Sequence, residues 1–278
     1  MSQITKELIY TVQFYHPEKI ISQMPGINND ETRAALLGVE VDLYRQLRER
    51  FTLNAQQTAK TLLNNPHFCR LVDRLPFAPG ATVVGLGDSI TDDSQSWLEI
   101  LRHLLYLRRP SDSIKVINAG ISGDTTTHLI SRFMEVAQQQ PDWIICLAGT
   151  NDVRRHGLPP TQVLVSLEET AKNLQMLRHL MTSQTQARWV WMTPPTVIEA
   201  QIEADWALAP LQERWFNQDL AQVSAVVRQL PDPVIDLQKI FGIPAHPDLL
   251  LADGLHPSLA GHQVIVSALV EKLAEIQN

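Results

Sequence analysis

From residue 81 to the end of the chain, short apolar runs alternate with longer segments of helical periodicity. The five strand candidates are residues 82–86, 114–118, 143–148, 188–192 and 234–236. The helical segments that follow them are residues 96–107, 126–138, 161–181, 211–230 and 258–276. Strands that each lead into a helix form βαβ units, whose right-handed crossovers place helices on both faces of a parallel sheet. We therefore predict an α/β fold, a three-layer α/β/α sandwich with a five-stranded parallel sheet.

The first part of the chain has helical patterns and no strand candidate. We predict an α-helical N-terminal extension over residues 1–79 and a second domain over 80–278. A weaker helix is expected over 4–15 and the strongest over 30–51, after which Thr52 is interpreted as the cap of the next helix. The extension packs on the α/β domain or on another subunit. A structural appendage is preferred over a lid or a dimerisation element.

The composition excludes several classes of protein. Hydrophobic residues make up 44% and charged residues 19% of the chain, and the net charge of −7 is spread without a basic stripe. The sequence therefore lacks the basic patch that nucleic-acid binding requires. No apolar run approaches the ~18–20 residues of a membrane span, and the first residues lack the long apolar segment of a secretory signal. Cys69 and Cys146 show no metal-type spacing. We expect a cytoplasmic protein.

One stretch, residues 83–91, combines an apolar β-branched run with two glycines, an acid and a serine. This pattern is typical of a strand, a tight turn and a helix start, with one hydroxyl at the tip. Gly87 is interpreted as the residue that allows the sharp turn. Ser89 is then placed to attack an acyl carbon while nearby N–H groups receive the oxyanion. The alternative is that Ser89 only caps a helix.

Three further stretches, residues 118–126, 148–152 and 253–257, form an ordered set with the first. All four follow predicted strands, so they are expected along one edge of the sheet, where ligands bind in open α/β folds. Other motifs are absent from the sequence. There is no Gly-x-Ser-x-Gly elbow of the larger α/β-hydrolases, and no Walker-type phosphate loop.

The ordered set closely resembles the four sequence blocks of the SGNH hydrolases, also called GDSL-type esterases. Those blocks supply a serine, a glycine, an asparagine and an Asp-x-x-His pair, in that order. The resemblance covers about residues 80–278 and not the first eighty or so residues. It implies a flavodoxin-like SGNH fold, and it implies that Ser89, Gly123 and Asn151 form the oxyanion hole.

The chemistry expected of the remaining residues agrees with that resemblance. A serine hydroxyl needs a base, and His256 is the candidate, with Asp253 three residues earlier to hold one ring nitrogen. Ser122 is the rival nucleophile. Three residues are predicted next to the substrate: Asp88, Arg154 and Pro194.

The predicted function is hydrolysis of carboxylic esters, with short-chain acyl or acetyl esters first, through an acyl-enzyme intermediate. The alternatives are an acyltransferase, thioesterase or lysophospholipase with the same site, and a non-catalytic binding module. The mechanism requires no cofactor and no metal. The expected partner is a small-molecule ester, and the N-terminal helices are a candidate surface for a homo-oligomer. The segment 196–210, with Trp206, either covers the pocket or packs on those helices.

Overall fold

The computed structural model describes residues 4–276 of the chain. Its sheet has five strands, which are β1 (Thr82–Gly87), β2 (Lys115–Gly120), β3 (Trp143–Leu147), β4 (Arg188–Met192) and β5 (Val234–Ile235). All neighbouring strands are parallel, in the order β2-β1-β3-β4-β5. The chain turns from one side of β1 to the other between β2 and β3. This is the topological switch point, at whose carboxyl edge ligands bind in open α/β sheets.

The helices of the described residues lie before the sheet and on both of its faces. They are α1 (Lys6–Phe14), α2 (Pro17–Ile20), α3 (Asp30–Leu36), α4 (Val41–Leu63), α5 (Pro66–Asp73), α6 (Ser89–Asp92), α7 (Trp97–Arg108), α8 (Thr126–Ser131), α9 (Phe133–Ala137), α10 (Leu167–Gln184), α11 (Glu199–Ala204), α12 (Asn217–Arg228), α13 (Leu237–Phe241) and α14 (Leu259–Ala274). Short 3₁₀ helices lie at Pro110–Asp112, Ala209–Leu211 and Pro247–Leu249. The predicted α/β fold is confirmed.

The sheet is buried on both faces because its central strands are apolar at nearly every position. Side chains alternate between the two faces of a strand. Val83 and Ile145 accordingly belong to the core on one face, and Val84 and Ile144 to the core on the other. Continuous apolar runs of this kind are what a doubly covered parallel sheet requires.

The N-terminal helices differ from the prediction in where they break. The helix predicted over 30–51 is two helices, because α3 ends at Leu36 and the chain turns through Gly38 at φ +66° before α4 begins. Thr52 is not a cap. It lies inside α4, where its hydroxyl donates to the carbonyl oxygen of Arg48 at 3.0 Å, a bond that satisfies a threonine within a helix.

The later helix bounds also shift. The segment predicted over 126–138 is divided into α8 and α9 at Arg132, and α10 begins six residues later than predicted, after Ser166, whose hydroxyl caps it. The helix predicted over 211–230 begins only at Asn217. Among the described residues, no helix is long and apolar enough to cross a membrane.

The N-terminal helices pack against the α/β unit. Ala55 and Ala59 of α4 and Phe68 and Val72 of α5 belong to the same core cluster as the helices that cover one face of the sheet. A smaller cluster joins α1 to α4 through Val12 and its neighbours. Through these contacts, α1 lies at the carboxyl edge of the sheet.

Candidate active site

Ser89 lies two residues after the end of β1, at the first position of the single-turn helix α6. Asp88 caps this helix, because its carboxylate accepts the N–H of Ile90 at 3.0 Å. Gly87 differs from the prediction: it is the last residue of β1 and has no left-handed backbone. A Cβ at Gly87 would clash with the carbonyl oxygen of Leu147 on the neighbouring strand. Glycine is therefore required at this position because the neighbouring strand lies too close for a side chain, and not because of the turn.

The imidazole of His256 lies between two polar groups. Its Nε2 is 3.0 Å from the hydroxyl oxygen of Ser89, and its Nδ1 is 2.6 Å from Oδ2 of Asp253. The second carboxylate oxygen of Asp253 accepts the backbone N–H groups of Leu255 and His256 at 2.9 and 3.0 Å. With Nδ1–H donated to the carboxylate, Nε2 is free to accept a proton from Ser89.

Burial and charge act in opposite directions on this pair. Burial alone would lower the pKa of His256, but the carboxylate of Asp253, aided by Asp93 and Asp88, raises that pKa above the ordinary value of 6.5. Burial would likewise raise the pKa of Asp253, but His256 and the two backbone N–H groups hold it below 3.8. Asp253 is therefore ionised at neutral pH and stabilises an imidazolium.

The three residues predicted to supply the oxyanion donors, Ser89, Gly123 and Asn151, line the same cavity. The Ser89 N–H is in the first turn of α6, where a helix leaves its N–H groups without intrahelical partners. Gly123 has φ +87°, with open space where a Cβ would lie, so its backbone faces the cavity in a conformation that favours glycine. The side-chain amide of Asn151 donates to the carbonyl oxygen of Asp124 at 3.1 Å, which fixes its direction and leaves a second N–H available.

A cavity of about 590 Å³ opens onto these groups. Ser89, Gly123, Asn151 and His256 all line it. The four motif loops, distant in sequence, therefore meet at one volume at the carboxyl edge of the sheet.

Of the three residues predicted next to the substrate, only Arg154 lines this cavity. Its guanidinium is 3.2 Å from Glu213, so much of its charge is compensated. Asp88 and Pro194 are buried and are not among the residues that line this cavity, so their place beside the substrate stays a prediction. Burial raises the pKa of Asp88 to about 7, so this carboxyl is partly protonated at neutral pH.

Ser122 and Trp206, the remaining candidates from the sequence, both line the cavity. The hydroxyl of Ser122 donates to the carbonyl oxygen of Phe14 at 2.6 Å and lies 3.0 Å from a carboxylate oxygen of Asp92, with no imidazole among its hydrogen-bond partners in the described chain. Trp206 does both things considered for its segment: it lines the cavity and it packs against Tyr10 of α1 at 5.8 Å between ring centroids.

Sequence reasoning missed the contribution of α1. Phe14 and Tyr10 line the cavity, and their ring centroids lie 4.4 and 6.0 Å from that of His256. The signal was the spacing of the two aromatic residues, since positions four apart share one face of a helix.

A hydroxyl, an imidazole and a carboxylate in series, beside amide donors at the carboxyl edge of a parallel sheet, define the class of serine hydrolases. The model of the GDSL-like lipase/acylhydrolase family matches residues 86–264. The chain belongs to this family, and it is a carboxylic ester hydrolase of the GDSL/SGNH type.

Named relatives and solved structures agree with that family. The chain is 28% identical over 218 residues to an acetylxylan esterase of Geobacillus stearothermophilus, a match that covers 70% of this chain and 94% of the relative. It is 28% identical to esterase TesA of Pseudomonas aeruginosa, over 66% of this chain and 83% of the relative. The crystal structure of the Geobacillus enzyme superposes with a TM-score of 0.54 at 25% identity, and covers 72% of this chain and 97% of that structure. An α/β hydrolase from the metagenome of Lake Arreo, Spain, gives 0.55 at 25% identity, over 73% of this chain and 100% of that structure.

Proposed function

We propose that Ser89, His256 and Asp253 are the catalytic residues of this esterase, and that acyl transfer proceeds through Ser89. The observation that supports the proposal is the unbroken series from the Ser89 hydroxyl to His256 at 3.0 Å and on to Asp253 at 2.6 Å. Ser89 Oγ attacks the ester carbonyl carbon while His256 Nε2 takes its proton. The imidazolium then protonates the departing alcohol, which leaves an acyl-Ser89 ester.

Hydrolysis of the acyl-enzyme reverses these roles with water as the nucleophile. His256 accepts a proton from water, the water oxygen attacks the acyl carbon, and the proton returns to Ser89 Oγ as the carboxylic acid leaves. In both steps the negative charge on the carbonyl oxygen is held by the N–H groups of Ser89 and Gly123 and by the Asn151 side chain. Donors fixed in place before the reaction stabilise this charge most strongly.

The proposed substrates are short-chain acyl esters, with acetyl esters first. The relative from Geobacillus that is named an acetylxylan esterase supports an acetyl group as the acyl part. A panel of esters that varies acyl length at constant alcohol measures this preference directly. A maximum of kcat/KM at octanoyl or longer chains would contradict it.

The nucleophile is tested by covalent labelling with a fluorophosphonate, which loses fluoride to an activated serine. We expect one label per chain, on the peptide that contains Ser89, and no label on Ser89→Ala. Ser122→Ala is the matched control, because Ser122 lines the same cavity. It should label as the wild type does. Labelling of Ser89→Ala at an equal rate would exclude Ser89 as the nucleophile.

Three further expectations from the sequence are also proposals, and they concern the domain division, the location in the cell and self-association. The division into residues 1–79 and 80–278 is supported by the start of the family match at residue 86. A cytoplasmic location is supported by the two unpaired cysteines, and cell fractionation measures it. Self-association through the N-terminal helices is supported by exposed apolar side chains such as Ile20 and Met24. Light scattering that gives a monomer at all concentrations would refute it.

A further inference from the structure

The wall of the cavity beside the catalytic imidazole comes from α1. The ring of Phe14 lies 4.4 Å from that of His256, and the ring of Tyr10 lies 6.0 Å from it, edge to face. Tyr10 also meets Trp206 edge to face at 5.8 Å, and the ammonium group of Lys6 lies 4.7 Å from the Trp206 ring centroid. Tyr10, Phe14 and Trp206 thus form a continuous aromatic wall, which is named here the α1 wall.

The position of the α1 wall determines which part of an ester it meets. The departing alcohol oxygen must come close to His256 Nε2 in order to receive its proton. The carbonyl oxygen lies instead towards Gly123 and Asn151. Since the rings of Phe14 and Tyr10 flank the imidazole itself, an ester placed for the proposed mechanism would have its alcohol part, and not its acyl chain, on the side of this wall.

Buried polar contacts hold α1 at the site. The Gln13 side-chain amide donates to Asp93 at 2.8 Å, and the backbone N–H of Ser94 donates to the carbonyl oxygen of Gln13 at 3.1 Å. The next residues continue the contact, because Nδ1 of His16 lies 2.7 Å from Asp92.

Burial would raise the pKa of Asp92, but His16 and Lys19 hold it below 3.8. The carboxylate is therefore charged at neutral pH and contacts both His16 and Lys19. Asp92 and Asp93 follow Ser89 within four residues. The wall is thus fixed to the same loop that carries the nucleophile, unlike a lid that opens and closes.

We propose that α1 is a specificity element of this esterase, in which Tyr10 and Phe14 bind the alcohol part of the substrate and favour alcohols that carry a flat ring. The inference rests on the proposed roles of Ser89 and His256. The family match begins at residue 86, so Tyr10 and Phe14 lie outside it, whereas Trp206 lies within it. An aromatic wall offers broad apolar area and ring-to-ring contact, which a small alcohol cannot use.

The test is Tyr10→Ala measured on two series of esters. In the first, the acyl group is acetyl and the alcohol is methyl, benzyl or 2-naphthylmethyl. In the second, the alcohol is methyl and the acyl group is acetyl, butyryl or octanoyl. We expect kcat/KM for benzyl and naphthylmethyl acetates to fall about tenfold more than for methyl acetate, mainly through KM. The acyl series should keep its order, with ratios within about twofold.

Matched variants distinguish a wall that contacts the substrate from a helix that only stabilises the site. Tyr10→Phe keeps the ring and should keep the alcohol preference. Val12→Ala is the control for a loosened helix, because Val12 is buried against α4 and does not line the cavity. It should lower the melting temperature without changing either series. Phe14→Leu gives a second reading of the alcohol series, and it decides the question if Tyr10→Ala does not fold.

Two outcomes would overturn the inference. An equal loss of kcat/KM on all acetates would mean that Tyr10 only supports the site. A change confined to the acyl series would mean that the wall contacts the acyl chain instead of the alcohol. Either result leaves the proposed roles of Ser89 and His256 intact, because those roles are tested separately by Ser89→Ala and by the pH profile.

Discussion

The carboxyl edge of the sheet holds two series of carboxylate, imidazole and serine. In one, Asp253, His256 and Ser89 are joined at 2.6 and 3.0 Å. In the other, Asp92, His16 and Ser94 are joined at 2.7 and 3.0 Å. Both imidazoles are buried, and both serines are half-buried. Distances alone therefore do not separate a catalytic series from a structural one.

The surroundings of the two imidazoles do separate them. An Arg48 guanidinium nitrogen lies 2.9 Å from Nε2 of His16 and 2.7 Å from the Ser94 hydroxyl oxygen. A guanidinium only donates, so Nε2 of His16 serves as its acceptor and is occupied. Of the described residues, Ser89 lines the cavity and Ser94 does not. A series becomes catalytic when its base is unoccupied and the attacked carbon has a place with oxyanion donors beside it.

The largest effect is expected from the two serines. Ser89→Ala should lower kcat for p-nitrophenyl acetate by about 10⁴-fold or more, because the nucleophile is removed. Ser94→Ala should change kcat by less than about threefold. It should lower the free energy of unfolding by about 1 kcal/mol, because hydrogen bonds are lost. Initial rates and urea unfolding measure both. Comparable losses of kcat in the two variants would break the comparison.

Substitutions of the two carboxylates, Asp253 and Asp92, should differ in the same way: the first should affect mainly kcat and the second mainly stability. Asp253→Asn is expected to lower kcat about 10³–10⁴-fold, because the imidazole loses its orientation and the partner of its charge. Asp92→Asn should instead lower the free energy of unfolding by about 2–3 kcal/mol, since it weakens a buried ionic contact. Its kcat should stay within about tenfold of the wild type, because Asp92 touches no reacting atom in the proposed mechanism. A stable Asp92→Asn protein with the activity of Asp253→Asn would contradict this division.

The pH profile sharpens the assignment of the base. From sequence, an ordinary histidine pKa predicts loss of rate below about pH 6. The structure corrects this value upward, because Asp253 raises the pKa of His256 above 6.5. The base acts only when neutral, so kcat/KM should fall as the pH drops through that raised pKa, with a midpoint above 6.5. In Asp253→Asn the midpoint should move to lower pH. A profile without an acid limb would exclude His256 as the base.

The fold and the motif loops could be predicted from sequence because their determinants are local. The apolar runs at 82–86 and 143–148 predict buried parallel strands, and the chemistry of acyl transfer restricts which residues can follow them. Of the five residues predicted for the triad and the oxyanion hole, four line one cavity, namely Ser89, Gly123, Asn151 and His256. The fifth, Asp253, lies 2.6 Å from the imidazole of His256. Their catalytic roles stay a prediction.

The rest depends on packing between distant segments. Tyr10 and Phe14 reach His256 only because α1 is held by Gln13 and His16 to the loop after Ser89. No local pattern encodes a contact across about 80 residues of chain, such as that of Gln13 with Asp93.

The smallest effect tests whether the imidazole of the second series could act once its nitrogen is free. Arg48→Met removes the donor to His16 Nε2 and to the Ser94 hydroxyl, and it should lower the free energy of unfolding by about 2 kcal/mol because two part-buried charged hydrogen bonds are lost. In the Ser89→Ala background, Arg48→Met leaves an Asp92–His16–Ser94 series with an unoccupied base. We expect no hydrolysis of p-nitrophenyl acetate above that of Ser89→Ala alone, because Ser94 lies outside the residues that line the described cavity. A measurable gain in rate would mean that a carboxylate, an imidazole and a hydroxyl in contact suffice without the cavity and its amide donors.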